Sequence, residues 1–155
     1  MADDINDPLR LDAQLCFALY GASLAMTKLY RPVLEGLGLT YPQYLAMLVL
    51  WESDDVTVGD LGRRLGLDSG TLTPLLKRLE AAGLVTRRRD PRDERQVRVA
   101  LTEAGRALKA RARHVPERMF CAMGLELDEL GDLRRRLHAL QARLSDAAAE
   151  PDSDT

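Results

Sequence analysis

Only two cysteines, Cys16 and Cys121, stand in 155 residues. That is too few for a fold held by a disulfide framework. No run approaches the ~18 uninterrupted apolar residues of a membrane span. The first residues, Met1 to Asp7, are acidic and lack the basic start of a secretory signal. Neither His114 nor His138 stands at the short paired spacing from a cysteine that metal ligands take, so no metal and no cofactor is expected. These absences predict a cytoplasmic protein with reduced thiols and no membrane association. The remainder has a globular balance, 46% hydrophobic and 30% charged, at a length that fits one domain.

The formal net charge of -2 hides an uneven distribution. Residues 63–98 hold 10 of the 22 Lys and Arg but only 5 of the 24 Asp and Glu. Residues 1–62 hold 3 basic against 9 acidic side chains, and the remainder is close to neutral. One basic segment between acidic or neutral flanks points to a local anionic partner.

The spacing of Leu15, Leu19, Ala22, Met26, Leu29 and Val33 predicts one long helix over 11–35, stopped by Gly36 and Gly38. Thr40 is placed to cap a second helix, Tyr41 to Glu52, with Pro42 in its first turn and apolar residues on most faces. Thr57 and Asp60 resemble a capping box opening a short helix over 58–65, closed by Gly66. Asp68 or Ser69 caps the next helix, which runs to about Ala82 with Gly83 beyond it. A link of about three residues between these two helices is the helix-turn-helix arrangement.

The period then changes. Leu84–Thr86 and Gln96–Leu101 alternate as strands do, around a turn at Asp90-Pro91. The result is a hairpin whose tip carries most of the arginine. Thr102 caps a helix running from 103 to about 121, which Pro116 would kink unless the helix already bends there. Leu127, Leu130, Leu133, Leu137, Leu140 and Leu144 form one stripe of a last helix, Glu126 to about Ala148. Residues 149–155 read as a disordered tail.

The fold class is therefore mainly α (α+β), a single winged helix-turn-helix domain. Residues 57–102 form the helix-turn-helix plus wing. Residues 10–36 and 103–148 form long terminal helices, whose leucine surface exceeds what a monomer can cover. They are expected to interleave in a homodimer.

On this scheme residues 69–78 form a recognition helix. Leu72, Leu75, Leu76 and Leu79 supply its buried side, while Ser69, Thr71, Thr73 and Lys77 face outward. Small hydroxyls in a first turn suit close approach to a base edge, and a helix N-terminus attracts phosphate. The hairpin arginines, Arg87, Arg88, Arg89, Arg92, Arg95 and Arg98, are spaced for phosphate or minor-groove contact on double-stranded DNA. A plainer alternative is a solvated loop in which Asp90, Asp93 and Glu94 neutralise half of that charge. The position directly behind a helix-turn-helix favours DNA. For Cys16, inside an apolar helix, a small buried hydrophobe is the simple reading, and no histidine lies near it in sequence to act as a base.

The run Leu67 to Glu80, with Asp68-Ser69-Gly70-Thr71-Leu72-Thr73-Pro74 at its start, resembles the recognition helix of MarR-family repressors, and specifically the organic hydroperoxide sensor branch (OhrR-type). Leu39 to Tyr44, the wing pattern Asp90-x-Arg92-x-x-Arg95 running into Leu101-Thr102-Glu103-x-Gly105, and a cysteine within Leu15 to Tyr20 agree with it. The resemblance covers about residues 10–145. It implies a repressor of a peroxide-resistance gene in which Cys16 reacts with the organic hydroperoxide effector, Tyr30 and Tyr41 hydrogen-bond that cysteine, and Tyr20 lines its pocket. Cys121 stands where two-cysteine members carry a resolving cysteine. DNA contacts are expected from Ser69, Thr71, Thr73, Lys77, Arg78, Arg88, Arg92 and Arg95 on an inverted-repeat operator. Tyr30 lies fourteen residues from Cys16, about 21 Å along a continuous helix, so any contact between them is across a dimer. The rival readings are a MarR-family regulator that binds a small aromatic ligand with inert cysteines, and a thiol peroxidase.

Overall fold

The structure, a computed structural model, describes residues 7–149, so the expected tail from Glu150 onward lies outside the described residues. The chain falls into two compact units, Met1–Pro116 and Glu117–Thr155.

A 3-10 turn, Leu11–Ala13, precedes α1, Leu15–Glu35. Pro32 is accommodated in the last turn of α1, and the reversal falls at Gly38, whose φ of 68° is a conformation glycine enters freely. Helix α2, Tyr41–Glu52, starts on a complete capping box: Gln43 N–H donates to Thr40 Oγ1, and Thr40 N–H donates to Gln43 Oε1. Tyr44, Ala46, Met47, Val49 and Leu50 are buried, as expected of a core helix.

The two short helices follow with the predicted ends. Helix α3 spans Val58–Leu65, with Asp60 N–H donating to Thr57 Oγ1 and Gly66 left-handed at its close. Helix α4 spans Ser69–Ala81, and its cap is Asp68. At its end Gly83 N–H donates to the Glu80 carbonyl and Leu84 N–H to the Leu79 carbonyl, the paired bonds that turn a chain out of a helix.

Two expectations need correction here. The hairpin strands are longer than alternation alone indicated: β2 is Val85–Asp90 and β3 is Asp93–Leu101, joined by Pro91-Arg92. Four of the six wing arginines, Arg87, Arg88, Arg89 and Arg98, therefore sit in the paired ladder, Arg95 lies in the irregular stretch of β3 between Asp93 and Val97, and Arg92 stands at the tip. A two-residue strand, β1 (Val56–Thr57), pairs on the other side of β3, giving an antiparallel sheet in the order β1-β3-β2. The expected helix from 103 to 121 is two helices, α5 (Glu103–Ala112) and α6 (His114–Met123). The cause is Pro116. Its ring collides with the carbonyl four residues back and its nitrogen cannot bond there, so α5 stops at Ala112 and the proline falls in the first turn of α6.

Helix α7, Leu127–Ala149, has no buried residue, and Leu127, Leu133, Leu137 and Leu144 are exposed. In α1 only Val33 and Leu34 are buried, leaving Leu15, Phe17, Tyr20, Leu24, Met26 and Leu29 open. No described helix is long and apolar enough to cross a membrane.

Candidate functional site

Helix α4 packs by its period. Leu72, Leu75, Leu76 and Leu79 are buried, while Ser69, Thr71, Lys77 and Arg78 are exposed. Thr73 departs from the expected outward position. It is half-buried and, one turn before buried Leu76, lines a cleft of about 730 Å³ between α3, α4 and the wing, with Arg63, Arg87 and Arg95 on its other walls. The first turn of α4 is also already supplied with an anion. Thr71 N–H donates to Asp68 Oδ1 at 2.7 Å, and that bond holds the Asp68 carboxyl below its usual range. The outward hydroxyls of Ser69 and Thr71 remain, but the helix end is capped from within.

In the wing, most of the arginine is engaged. Arg87 Nε donates to Glu80 at 2.7 Å, Arg88 Nη2 to Asp55 at 2.7 Å, and Arg89 Nη1 to the Glu94 carbonyl at 2.7 Å. Arg98 bonds Asp55 and Asp90. Arg95 pairs with Asp93 at 3.0 Å, yet its side chain stays 90% exposed. The Arg92 guanidinium forms no ion pair among the described residues, and it projects from the exposed tip. Its backbone N–H donates to Asp90 Oδ1 at 2.9 Å. That bond, ahead of the Arg98 guanidinium, holds the Asp90 carboxyl below the usual carboxylate range. The surplus of uncompensated guanidinium is thus smaller than the sequence count suggested: Arg92 and Arg89 form no ion pair among the described residues, and Arg95 is paired but exposed.

The thiols are both free and exposed: Cys16 in the first turn of α1, and Cys121 in α6 within the second unit. Cys16 is not the buried hydrophobe that an apolar helix suggested. Tyr20 lies one turn along the same face of α1 and is 62% exposed. Tyr30 and Tyr41 do come together, with ring centroids 4.6 Å apart, and Tyr44 joins them at 5.9 Å from Tyr30. The sequence marked Tyr44 only as a core residue, although its spacing of three from Tyr41 on one helix was a signal for this cluster. Burial, with Tyr41 and Tyr44 adding to it, pushes the Tyr30 phenol up to about 12, and burial raises Tyr41 and Tyr44 too. All three therefore keep their protons at neutral pH and can donate. Because α1 is unbroken from Leu15 to Glu35, Cys16 and Tyr30 of one chain stand about 21 Å apart along the axis.

Comparison with known proteins reads this geometry consistently. Residues 39–97 match the model of the MarR family. The chain is 51% identical over 141 residues to the transcriptional regulator TtmR of Methylorubrum extorquens, covering 86% of this chain and 72% of that protein. It is 48% identical over 134 residues to the organic hydroperoxide resistance transcriptional regulator of Bacillus subtilis, covering 86% of this chain and 91% of that one. Among solved structures it resembles AbfR, a protein of Staphylococcus epidermidis. The TM-score is 0.79 against reduced AbfR bound to DNA, at 36% identity with 92% of this chain and 98% of that chain covered. Against AbfR with its disulfide formed it is 0.61, at 35% identity with 91% and 94% covered. With a helix-turn-helix and wing of this form, and about half its residues shared with such proteins over most of its length, the chain belongs to the MarR family of transcriptional regulators and is not an enzyme.

Proposed function

We propose that the protein is a homodimeric, DNA-binding repressor that acts in the cytoplasm and is released by organic hydroperoxides. The observation that carries the DNA half is the pairing of an outward Ser69/Thr71/Lys77 face on α4 with an unpaired Arg92 at the wing tip. The dimer sets two α4 helices in successive major grooves of an inverted repeat, about 34 Å apart. The apolar residues of α1 and α7 left open in one chain form the interface between copies.

The redox half rests on an exposed Cys16 flanked by the exposed Leu15 and Phe17, and on the similarity to the Bacillus hydroperoxide regulator. The Cys16 thiolate attacks the outer peroxide oxygen. The O–O bond breaks, the alcohol leaves with a proton, and Cys16 becomes a sulfenic acid. Cys121 of a second copy then attacks that sulfur, forming a disulfide and expelling water. Tyr30 and Tyr41 from the other copy supply phenol donors to the thiolate, and Tyr20 lines the same pocket; donors to the charged form favour it. A band shift with added cumene hydroperoxide, read beside a non-reducing gel, tests the whole scheme.

A second reading has one observation in its favour. A groove of about 630 Å³ runs between α1 and the start of α2, walled by Leu24, Leu39, Tyr41 and Pro42 with Lys28 and Arg31 at its rim. That size and polarity suit a small aromatic acid as effector.

Two substitutions separate the DNA contacts. Arg92→Ala is expected to cost on the order of 1–3 kcal/mol of operator binding and to flatten its salt dependence. Arg95→Ala is expected to cost less, since Asp93 already shares that guanidinium. Unchanged affinity in both variants, measured by fluorescence anisotropy, would count against the wing as a contact. Thr71→Ala should weaken operator binding more than binding to random duplex, because a phosphate contact would lower both alike. A specificity ratio that does not move would leave α4 as a positioning element only.

A further inference from the structure

We propose that Asp55 is a positioning residue for the wing, clamping Arg88 and Arg98 and, through Arg98 and Asp90, fixing the tip from which Arg92 projects. The inference rests on the reading of Arg92 as a DNA contact. Its starting point is the register. Arg88 on β2 lies directly opposite Arg98 on β3. Like charges facing each other across a ladder push the strands apart, and β2, which carries Arg88, is the edge strand of the sheet.

Asp55 resolves that repulsion from outside the hairpin. It lies in the turn between α2 and β1, where Arg88 Nη2 donates to Oδ2 at 2.7 Å and Arg98 Nε donates to Oδ1 at 3.0 Å. A second Arg98 nitrogen donates to the Asp55 carbonyl. The far side of the same guanidinium reaches Asp90 Oδ2 at 3.2 Å. Asp90 is the buried charged residue among the described residues, 7% exposed, and its other oxygen accepts from Arg92 N–H. An unbroken series of bonds therefore runs from Asp55 to the backbone of Arg92.

The backbone at Asp55 supports a role for its side chain. Its φ of 58° is left-handed, the one such value among non-glycine described residues. Glycine takes that conformation most readily, yet here the position carries a carboxylate that two arginines share. Asp54 secures the turn from the other side, accepting from Leu101 N–H at 2.8 Å, from Asp55 N–H at 2.8 Å and from Arg106 Nη2 at 3.0 Å. Neither aspartate belongs to any motif that the sequence singled out.

The test is a double-mutant cycle on full-length protein. Its probe is the duplex that the wild type selects from a randomised pool. Asp55→Asn tolerates the left-handed backbone and loses only the charge. By charge alone, removing an anion beside DNA would tighten binding. Positioning predicts the opposite sign, a loss of roughly tenfold, with a salt slope lowered by about one, as for Arg92→Ala. In the Arg92→Ala background the same substitution should change affinity by less than about twofold. Wild-type or tighter binding by Asp55→Asn, or an equal loss in both backgrounds, overturns the clamp. If Arg92→Ala itself binds normally, the fault lies with the wing-contact reading instead, and the clamp falls with it. Should Asp55→Asn fail to fold by circular dichroism, Asp55→Gly, which suits the turn and lacks the carboxylate, carries the same cycle with the same expected losses.

Discussion

Cys16→Ser is expected to bind operator as the wild type does, and to stay bound at a stoichiometric dose of cumene hydroperoxide that releases the wild type. Serine preserves the shape of an exposed position in the first turn of α1, so the fold has little to lose. What disappears is the chemistry. A hydroxyl is not ionised at neutral pH and has no sulfenic state, so neither the attack on the peroxide nor a later disulfide is open to it. Cys121→Ser is expected to separate the two steps. It should still consume peroxide, form no cross-chain disulfide on a non-reducing gel, and accumulate overoxidised Cys16 under excess oxidant. Release of DNA by Cys16→Ser at the wild-type dose would refute the thiol switch. The groove between α1 and α2, with an aromatic acid as effector, would then be the better account.

Gly105→Ala should be among the most damaging single substitutions. A Cβ built on Gly105 stands 2.1 Å from the Leu84 carbonyl oxygen and 3.2 Å from Leu101 Cδ2. The first neighbour is backbone, and it is held: Thr102 N–H donates to that same Leu84 carbonyl at 3.0 Å, and Thr102 Oγ1 donates to the Gly83 carbonyl at 2.6 Å. Gly105 is held as well, because its own carbonyl accepts from Trp51 Nε1 at 2.9 Å. Neither side can retreat without breaking hydrogen bonds at the root of the wing. The expected cost is about 3 kcal/mol or more, at the upper end of overpacking. For a chain of this size that lowers the melting temperature by roughly 6–12 °C. A melt within about 2 °C of wild type would show that α5 can slide away from the α4–β2 turn.

What could be read from the sequence, and what could not, divides by the range of the interactions. Thr40, Thr57, Asp68 and Thr102 each cap the helix expected of them, and Gly66 and Gly83 each end one, because a cap is decided within four residues. The buried leucines of α4 follow from a helical period that nothing overrides. The wing was harder. Arginines at 87 to 89 do not alternate with apolar residues, so the strand reaching to Asp90 is visible only from its pairing with β3. Strand β1 is two residues long and exists through that same sheet. The ion pairs were out of reach altogether. Asp55 meets Arg88 and Arg98 across 33 and 43 residues of sequence, whereas local reading offered only Asp90, Asp93 and Glu94 as partners. Likewise Tyr30 and Tyr41 were expected at one site, but the contact of their rings depends on how α1 meets α2.

Trp51 is the only tryptophan in the sequence. Its ring is edge-on to Tyr44, with centroids 6.5 Å apart, and Tyr44 continues the cluster to Tyr30. The indole N–H is tied to α5 while the residue itself stands in the last turn of α2. The protein therefore carries its own optical gauge. Light absorbed by the tyrosines passes to a single emitter, whose colour and polarisation report one junction and nothing else. An effector that loosens that junction announces itself in the emission spectrum without any attached dye.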